Sequence, residues 1–310
     1  MVSTSKISMD FGFYPCNLNL ADTLYSIKSL PNRELCAQNV ISHNAVIDGW
    51  YYASLIERSS QSGKMASPPG RIFDLPKTHT ITVIYPLNEE DVKFIIWWLS
   101  FFLGFRLTTD VYGFLDATPV KRRKVNDFVI DHRSIKAGLD LVIDFIDKHR
   151  ADKSSLKRVE AIINALFMAQ NPQNLCFERF QYLYMALDAC YRQAYSAFCP
   201  GKKDIKHDGR IEWLCKQFNI LPPTWIKKQG KCSKSLLASI RNDAIHEALF
   251  FNEPLGFSVF GGNNQPDNEG IILQMENIVS RVLVALIGKP SAQYVSTPYD
   301  TRQFVPIDLI

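Results

Sequence analysis

Ser233-Lys-Ser-Leu-Leu-Ala-Ser-Ile-Arg-Asn-Asp-Ala-Ile-His-Glu-Ala-Leu-Phe250 reads as one helix with two unlike faces. At about 100° per residue, Leu236, Leu237, Ile240, Ala244 and Ala248 form a single apolar stripe that must face a core. Asn242 and His246, four residues apart, stack on nearly the opposite side. Arg241 lies on the flank, with a side chain long enough to reach towards them. Ile245 and Leu249 stand beside Asn242 and His246, where a solvated face would carry polar residues. That second, mixed strip predicts a second contact surface, which a symmetric dimer interface would supply.

Outward from this stretch, the pattern is helical from Ser134 almost to the end. Helices are predicted over 134–149, 154–169, 174–197, 209–218, 233–250 and 270–287, punctuated by Asn171-Pro172, Pro200-Gly201, Pro222-Pro223 and the loop Gly261–Pro266. Before residue 121 the character differs. Thr78 to Tyr85 alternates and stops at Pro86, which reads as a strand; Asn39 to Leu55 and Val111 to Leu115 are weaker strand segments, and Gln61 to Gly70 reads as a loop. Asn88 followed by Glu89, Glu90 and Asp91 caps a helix over 89–105. Its run FIIWWLSFFLGF is about a dozen residues, against the roughly 20 that a spanning helix needs, so it reads as a buried core helix. The fold class is therefore α+β. A mixed N-terminal module (1–125) precedes an all-α module (130–290) and a tail (291–310), with Lys121-Arg-Arg-Lys124 at the joint.

Arg241-Asn242-Asp243-Ala244-Ile245-His246 resembles the R-x(4–6)-H signature of HEPN domains, in the form with Asn directly after the arginine. The long helix Phe177 to Arg192 is similar to the family's long helix, which usually carries an acidic residue near the place of Asp188. The resemblance covers roughly residues 150–288. The mixed module ahead of it is similar in layout to ApeA-like defence proteins. The resemblance implies a HEPN-like helical bundle that cleaves RNA without a metal or other cofactor. It implies Arg241, Asn242 and His246 as catalytic residues, with Asp188 either supporting Arg241 or standing as an ordinary surface carboxylate.

These residue types suit that chemistry. RNA is cut when its own 2′-hydroxyl attacks the neighbouring phosphorus. Histidine, with an ordinary pKa of about 6.5, can take or give the proton near neutrality. The planar fork of arginine fits a phosphate whose negative charge grows in the transition state. An isolated histidine would read as solvated or structural; Arg241 and Asn242 beside it turn the reading towards function. Lys227, Lys228, Lys231 and Lys234 lead into the motif helix and are the candidates for tracking an RNA backbone. Lys121 to Lys124 and Gly201 to Lys206 are further basic runs of the kind that solvated loops also carry.

Composition sets the outer limits. The 310 residues are 46% hydrophobic and 21% charged, with net charge +4, an ordinary globular balance that permits a nucleic-acid partner without demanding one. Seven cysteines without a CxxC pair argue against a disulfide framework or a zinc knuckle and for a reducing cytoplasm. The N-terminal MVSTSKISMDFGFYP lacks the apolar core of a secretory signal. No GxSxG, Walker loop, GxGxxG or HExxH is present. The expectation is a cytoplasmic, homodimeric endoribonuclease of toxin or antiviral-defence type, not held in a membrane, whose N-terminal module senses a protein or phage-derived trigger or restrains the nuclease. The alternatives are a non-catalytic HEPN-like scaffold binding RNA or a protein partner, and an unrelated helical regulator with a chance motif.

Overall fold

The computed structural model describes residues 6–54, 56–60, 63–67, 71–227, 234–255, 268–300 and 303–310. It is an α+β protein, 48% helical and 16% strand. The chain divides into two compact units, one of residues 1–126 with 171–173, the other of 127–170 and 174–310.

The first unit runs β1 (Lys6–Phe11), β2 (Leu20–Ala21), β3 (Tyr25–Ser29), α1 (Arg33–Ile41), β4 (Val46–Ile47), β5 (Trp50–Tyr52), β6 (Ile56–Ser60), β7 (Gly63–Ser67), β8 (Ile72–Phe73), β9 (His79–Ile84), α2 (Glu89–Leu103), β10 (Phe114–Leu115) and β11 (Ala117–Pro119). Its main sheet is antiparallel in the order β1-β9-β3-β2. The alternation seen along 78–85 is what places β9 centrally: His79, Ile81 and Val83 are wholly buried, and the residues between them are half-buried. α2 begins as its acids dictate. Asn88 Oδ1 accepts from the amides of Glu90 and Asp91, and the Asp91 carboxylate accepts from the Asn88 amide, while Gly104 closes the far end at φ 66°. Phe94 to Leu103 is buried except for Trp97, which lies under the Arg106 guanidinium, and the one hydroxyl inside, Ser100, donates to the Ile96 carbonyl. No helix among the described residues is long and apolar enough to cross a membrane.

Two N-terminal expectations change. The strand expected over 39–55 is the end of α1 followed by the short hairpin β4–β5. α1 buries only Ala37 and Val40, so it carries no amphipathic signature. The loop expected over 61–70 contains β7, paired with β6; the remainder of it lies outside the described residues.

The second unit runs β12 (Phe128–Ile130), α3 (His132–His149), α4 (Lys153–Ala169), α5 (Cys176–Phe198), α6 (His207–Gln217), α7 (Leu236–Asn242), β13 (Leu249–Phe250), β14 (Glu253–Pro254), α8 (Asn268–Leu286), α9 (Gln293–Ser296) and β15 (Val305–Ile307). The side chains of Asp131 and Asp152 cap α3 and α4. α5 is central, packing on α4, α6 and α8, with Phe180, Leu183, Leu187 and Ala194 among its buried residues. This half is helical at its core, yet it also carries two short strand pairs, β12–β15 and β13–β14. The expected tail at 291–310 belongs to this unit, with Tyr294, Val295, Ile307 and Leu309 buried. Its anchor is Arg281 of α8, a wholly buried cation. Arg281 donates to Asp127 at 2.8 Å and to the carbonyls of Asn277, Thr297 and Pro298, and the Tyr294 hydroxyl bonds the same Asp127. A buried charge must be paired and its donors filled, and here the partners come from both ends of the unit.

Candidate functional site

The motif helix starts on a built support. Ser235 caps α7, its hydroxyl oxygen accepting from the Ala238 amide at 3.3 Å. Ser235 is itself fixed to α6, because its amide and hydroxyl both donate to Asp208, at 3.0 and 2.7 Å. Leu237 and Ile240 face the core as expected, and Ala244 follows them inside.

The helix then departs from the regular pattern. Asp243–Glu247 is a π turn, and Ala248 adopts the left-handed conformation at φ 55°. The expected α-helix through Phe250 is therefore corrected to α7, one π turn and the hairpin β13–β14. The cause is aromatic burial: the reversal brings Phe250 (0% exposed) against Phe180, with ring centroids 5.4 Å apart, and puts Phe251 inside as well. Ala248, assigned to the buried stripe, is exposed because the stripe ends where the backbone turns over. Single π turns recur at functional sites because they re-aim side chains that an α-helix would align.

Arg241 and Asn242 are brought together. Arg241 Nη1 donates to Asn242 Oδ1 at 3.0 Å, and the guanidinium carbon lies 5.9 Å from the Tyr184 ring centroid. Nε of Arg241 is buried with no acceptor among the described residues. The guanidinium is thus oriented by a ring and an amide, and among the described residues no carboxylate pairs with it. His246 sits on the π turn with its ring exposed, and no described residue hydrogen-bonds it. Ile245 beside it is 49% exposed, while Leu249 is half-buried.

Asp188 is placed differently from expectation. It accepts from Arg210 Nη1 at 2.5 Å, and Arg241 is left to Tyr184 and Asn242. Arg210 explains the choice. Its side chain is 5% exposed against α5, so it draws two carboxylates, Asp188 and, at 2.8 Å, Asp204, plus the Ile205 carbonyl at 3.0 Å. Asp204 in turn accepts from Tyr191 and Arg192, both at 2.7 Å, and the Tyr191 bond is the first reason its carboxyl is held below the usual range.

One residue escaped the sequence reading altogether. His207, at the start of α6, has Nδ1 3.1 Å from Arg210 Nη1 and 3.4 Å from the Tyr184 hydroxyl. A guanidinium only donates, so Nδ1 accepts, the ring is neutral, and its remaining nitrogen is an N–H donor. Desolvation, then the charge of Arg210, push its pKa down and favour that form, against the opposing pull of Asp188, whose Oδ1 lies 3.6 Å from Nδ1. The only sequence signal was His and Arg three apart at a helix start, which thousands of solvated helices share. Tyr184 thus links two donor groups, Arg241 over its ring and His207 at its hydroxyl.

Of the basic residues, Lys227 and Lys234 are exposed, Lys234 directly before the Ser235 cap. Lys228 and Lys231 lie outside the described residues. Among the described residues no group of three or more His, Cys, Asp or Glu is arranged to hold a metal ion. No family model, curated protein or solved structure matches the chain.

Proposed function

We propose that the chain is a metal-independent endoribonuclease of the toxin or antiviral-defence type, working in the cytoplasm as a homodimer. The observation that carries this reading is Arg241: a guanidinium oriented by Tyr184 and Asn242, with a buried Nε that has no acceptor among the described residues, one helical turn before an exposed histidine. A guanidinium that no described carboxylate pairs with keeps its charge and its fork for a phosphodiester. In the proposed step, His246 takes the proton of the 2′-hydroxyl and that oxygen attacks the adjacent phosphorus. The bond from phosphorus to the 5′-oxygen breaks, and the partner's His246 gives its proton to the leaving oxygen. Arg241 binds the non-bridging oxygens as their charge grows. His207 adds a neutral N–H donor beside it. The exposed Ile245 is the apolar element of the dimer face, and Lys227 and Lys234 lead the strand in. Six described cysteines are free thiols, which suits a reducing compartment. The first unit takes the role of sensing a protein or phage-derived trigger.

A non-catalytic scaffold binding RNA or protein through the same surface is the second reading. What favours it is that no described group orients the His246 ring, whereas general bases are usually held by a second partner. Kinetics on the full chain separates the two. His246→Ala should lower the cleavage rate by roughly 10²–10⁴-fold and leave the melting temperature unchanged. Arg241→Lys should fail nearly as badly, since an ammonium cannot reproduce the fork. Equal rates for wild type and both variants would leave only the scaffold.

A further inference from the structure

A second cationic site lies on the same unit, away from the motif. Arg158 of α4, Arg192 and Ser196 of α5, and Gly201, Lys202 and Asp204 of the following turn line a cavity of about 500 Å³. Three cations face one carboxylate there, and that carboxylate is already divided among Arg192, Arg210 and Tyr191. Arg158 is bonded to a neutral group, Gln193 Oε1 at 2.9 Å, and Lys202 forms no ion pair with a described residue. Gly201 has φ +73° and nothing within 4 Å of where a Cβ would stand, so the turn leaves its side of the cavity open. The lining is largely exposed, and its cations outnumber the single carboxylate, so a positive potential faces whatever enters. Two of the three are guanidiniums, whose forks match phosphate oxygens. The volume exceeds a bare phosphate and falls within the range that holds a small molecule such as a nucleotide unit.

We propose that this cavity binds a nucleotide phosphate, supplied by an RNA strand that also passes Arg241. The source of the phosphate rests on the nuclease reading; the affinity for phosphate does not. Asp204 ties the two places together through one set of ion pairs, since it holds Arg192 at the cavity and Arg210, which in turn holds Asp188 beside His207.

The test uses the full chain and two probes: a fluorescent single-stranded RNA with 2′-O-methyl groups, which cannot be cut, and adenosine 5′-monophosphate followed by calorimetry. Lys202→Glu is exposed and should not disturb the fold; Arg158→Gln is the second variant, and Lys216→Glu on α6 is the equal charge change elsewhere. RNA affinity should fall about tenfold in the two cavity variants, and the slope of log affinity against log salt should flatten by about 0.7 for each lost phosphate contact. Lys216→Glu should change little. If the cavity variants weaken the monophosphate but leave RNA untouched, the strand is overturned as the source and a free nucleotide takes its place. If both probes bind both cavity variants as they bind wild type, the phosphate site itself is overturned. RNA cutting by wild type with no effect of the cavity variants sinks this proposal alone. A cavity effect without any cutting sinks the nuclease alone.

Discussion

At the scale of single residues, burial decides which charges pair. Arg241, Asn242 and His246 announce themselves because their spacing is local, and the structure joins the first two directly. Asp188, expected either beside Arg241 or as an ordinary surface carboxylate, is held instead by Arg210, 22 positions along the chain, because that is the more deeply buried cation. Glu276 is another buried charge that no pattern shows. It meets Arg179 at 3.1 Å, yet burial outweighs that partner and lifts its carboxyl from 4.5 to about 7. The native state therefore holds a proton that the unfolded chain releases, so this group's contribution to stability is complete below pH 4.5 and is lost as pH rises through about 7. Urea unfolding of wild type and Glu276→Gln across this range should show wild type losing stability relative to the variant as pH rises. A difference independent of pH would mean that Arg179 keeps Glu276 ionised throughout.

Among elements, α2 is the one whose cap, Asn88, is legible in the sequence; α3 and α4 begin two residues and one residue before the starts expected from periodicity. Asn88 starts α2, and Asp131 and Asp152 start α3 and α4, because an N-cap is a local bond between a side chain and the next turn. Strands of two or three residues, such as β12 and β15, have no period to read; they exist because Arg281 holds Asp127 and the 297–298 carbonyls in place. The motif helix ends short of its expected bound for the same kind of reason. Nothing local at Leu249-Phe250 says that Phe250 will turn back onto Phe180. That reversal leaves Ala248 in a left-handed conformation that L residues adopt at a cost. Ala248→Gly should therefore raise stability by about 0.5–1 kcal/mol, read as a higher melting temperature, because glycine meets no steric penalty there. A drop would mean that the helical propensity lost in the unfolded chain and at the π turn outweighs the relieved strain.

For the whole molecule, the change in character near Lys121 marks where one unit gives way to the other, but the pattern leaves residues 127–129 on neither side. They belong with the helices, since Asp127 is the carboxylate of the buried Arg281 and β12 pairs with β15. A fragment of residues 127–310 should keep cooperative melting and strong helical circular dichroism. A fragment starting at 131 should lose about 3–5 kcal/mol, because Arg281 is left buried without its counter-charge. Equal stability of the two fragments would remove Asp127 from the account. The unit so defined contains every residue of the proposed nuclease site. The direct measurement is the end groups of RNA incubated with the purified full chain in EDTA, with His246→Ala alongside. Fragments ending in a 2′,3′-cyclic phosphate or 3′-phosphate, with a 5′-hydroxyl on the other side, made by wild type and absent with His246→Ala, are the predicted result. Cleavage that requires a divalent metal, or that His246→Ala performs as well as wild type, would contradict it.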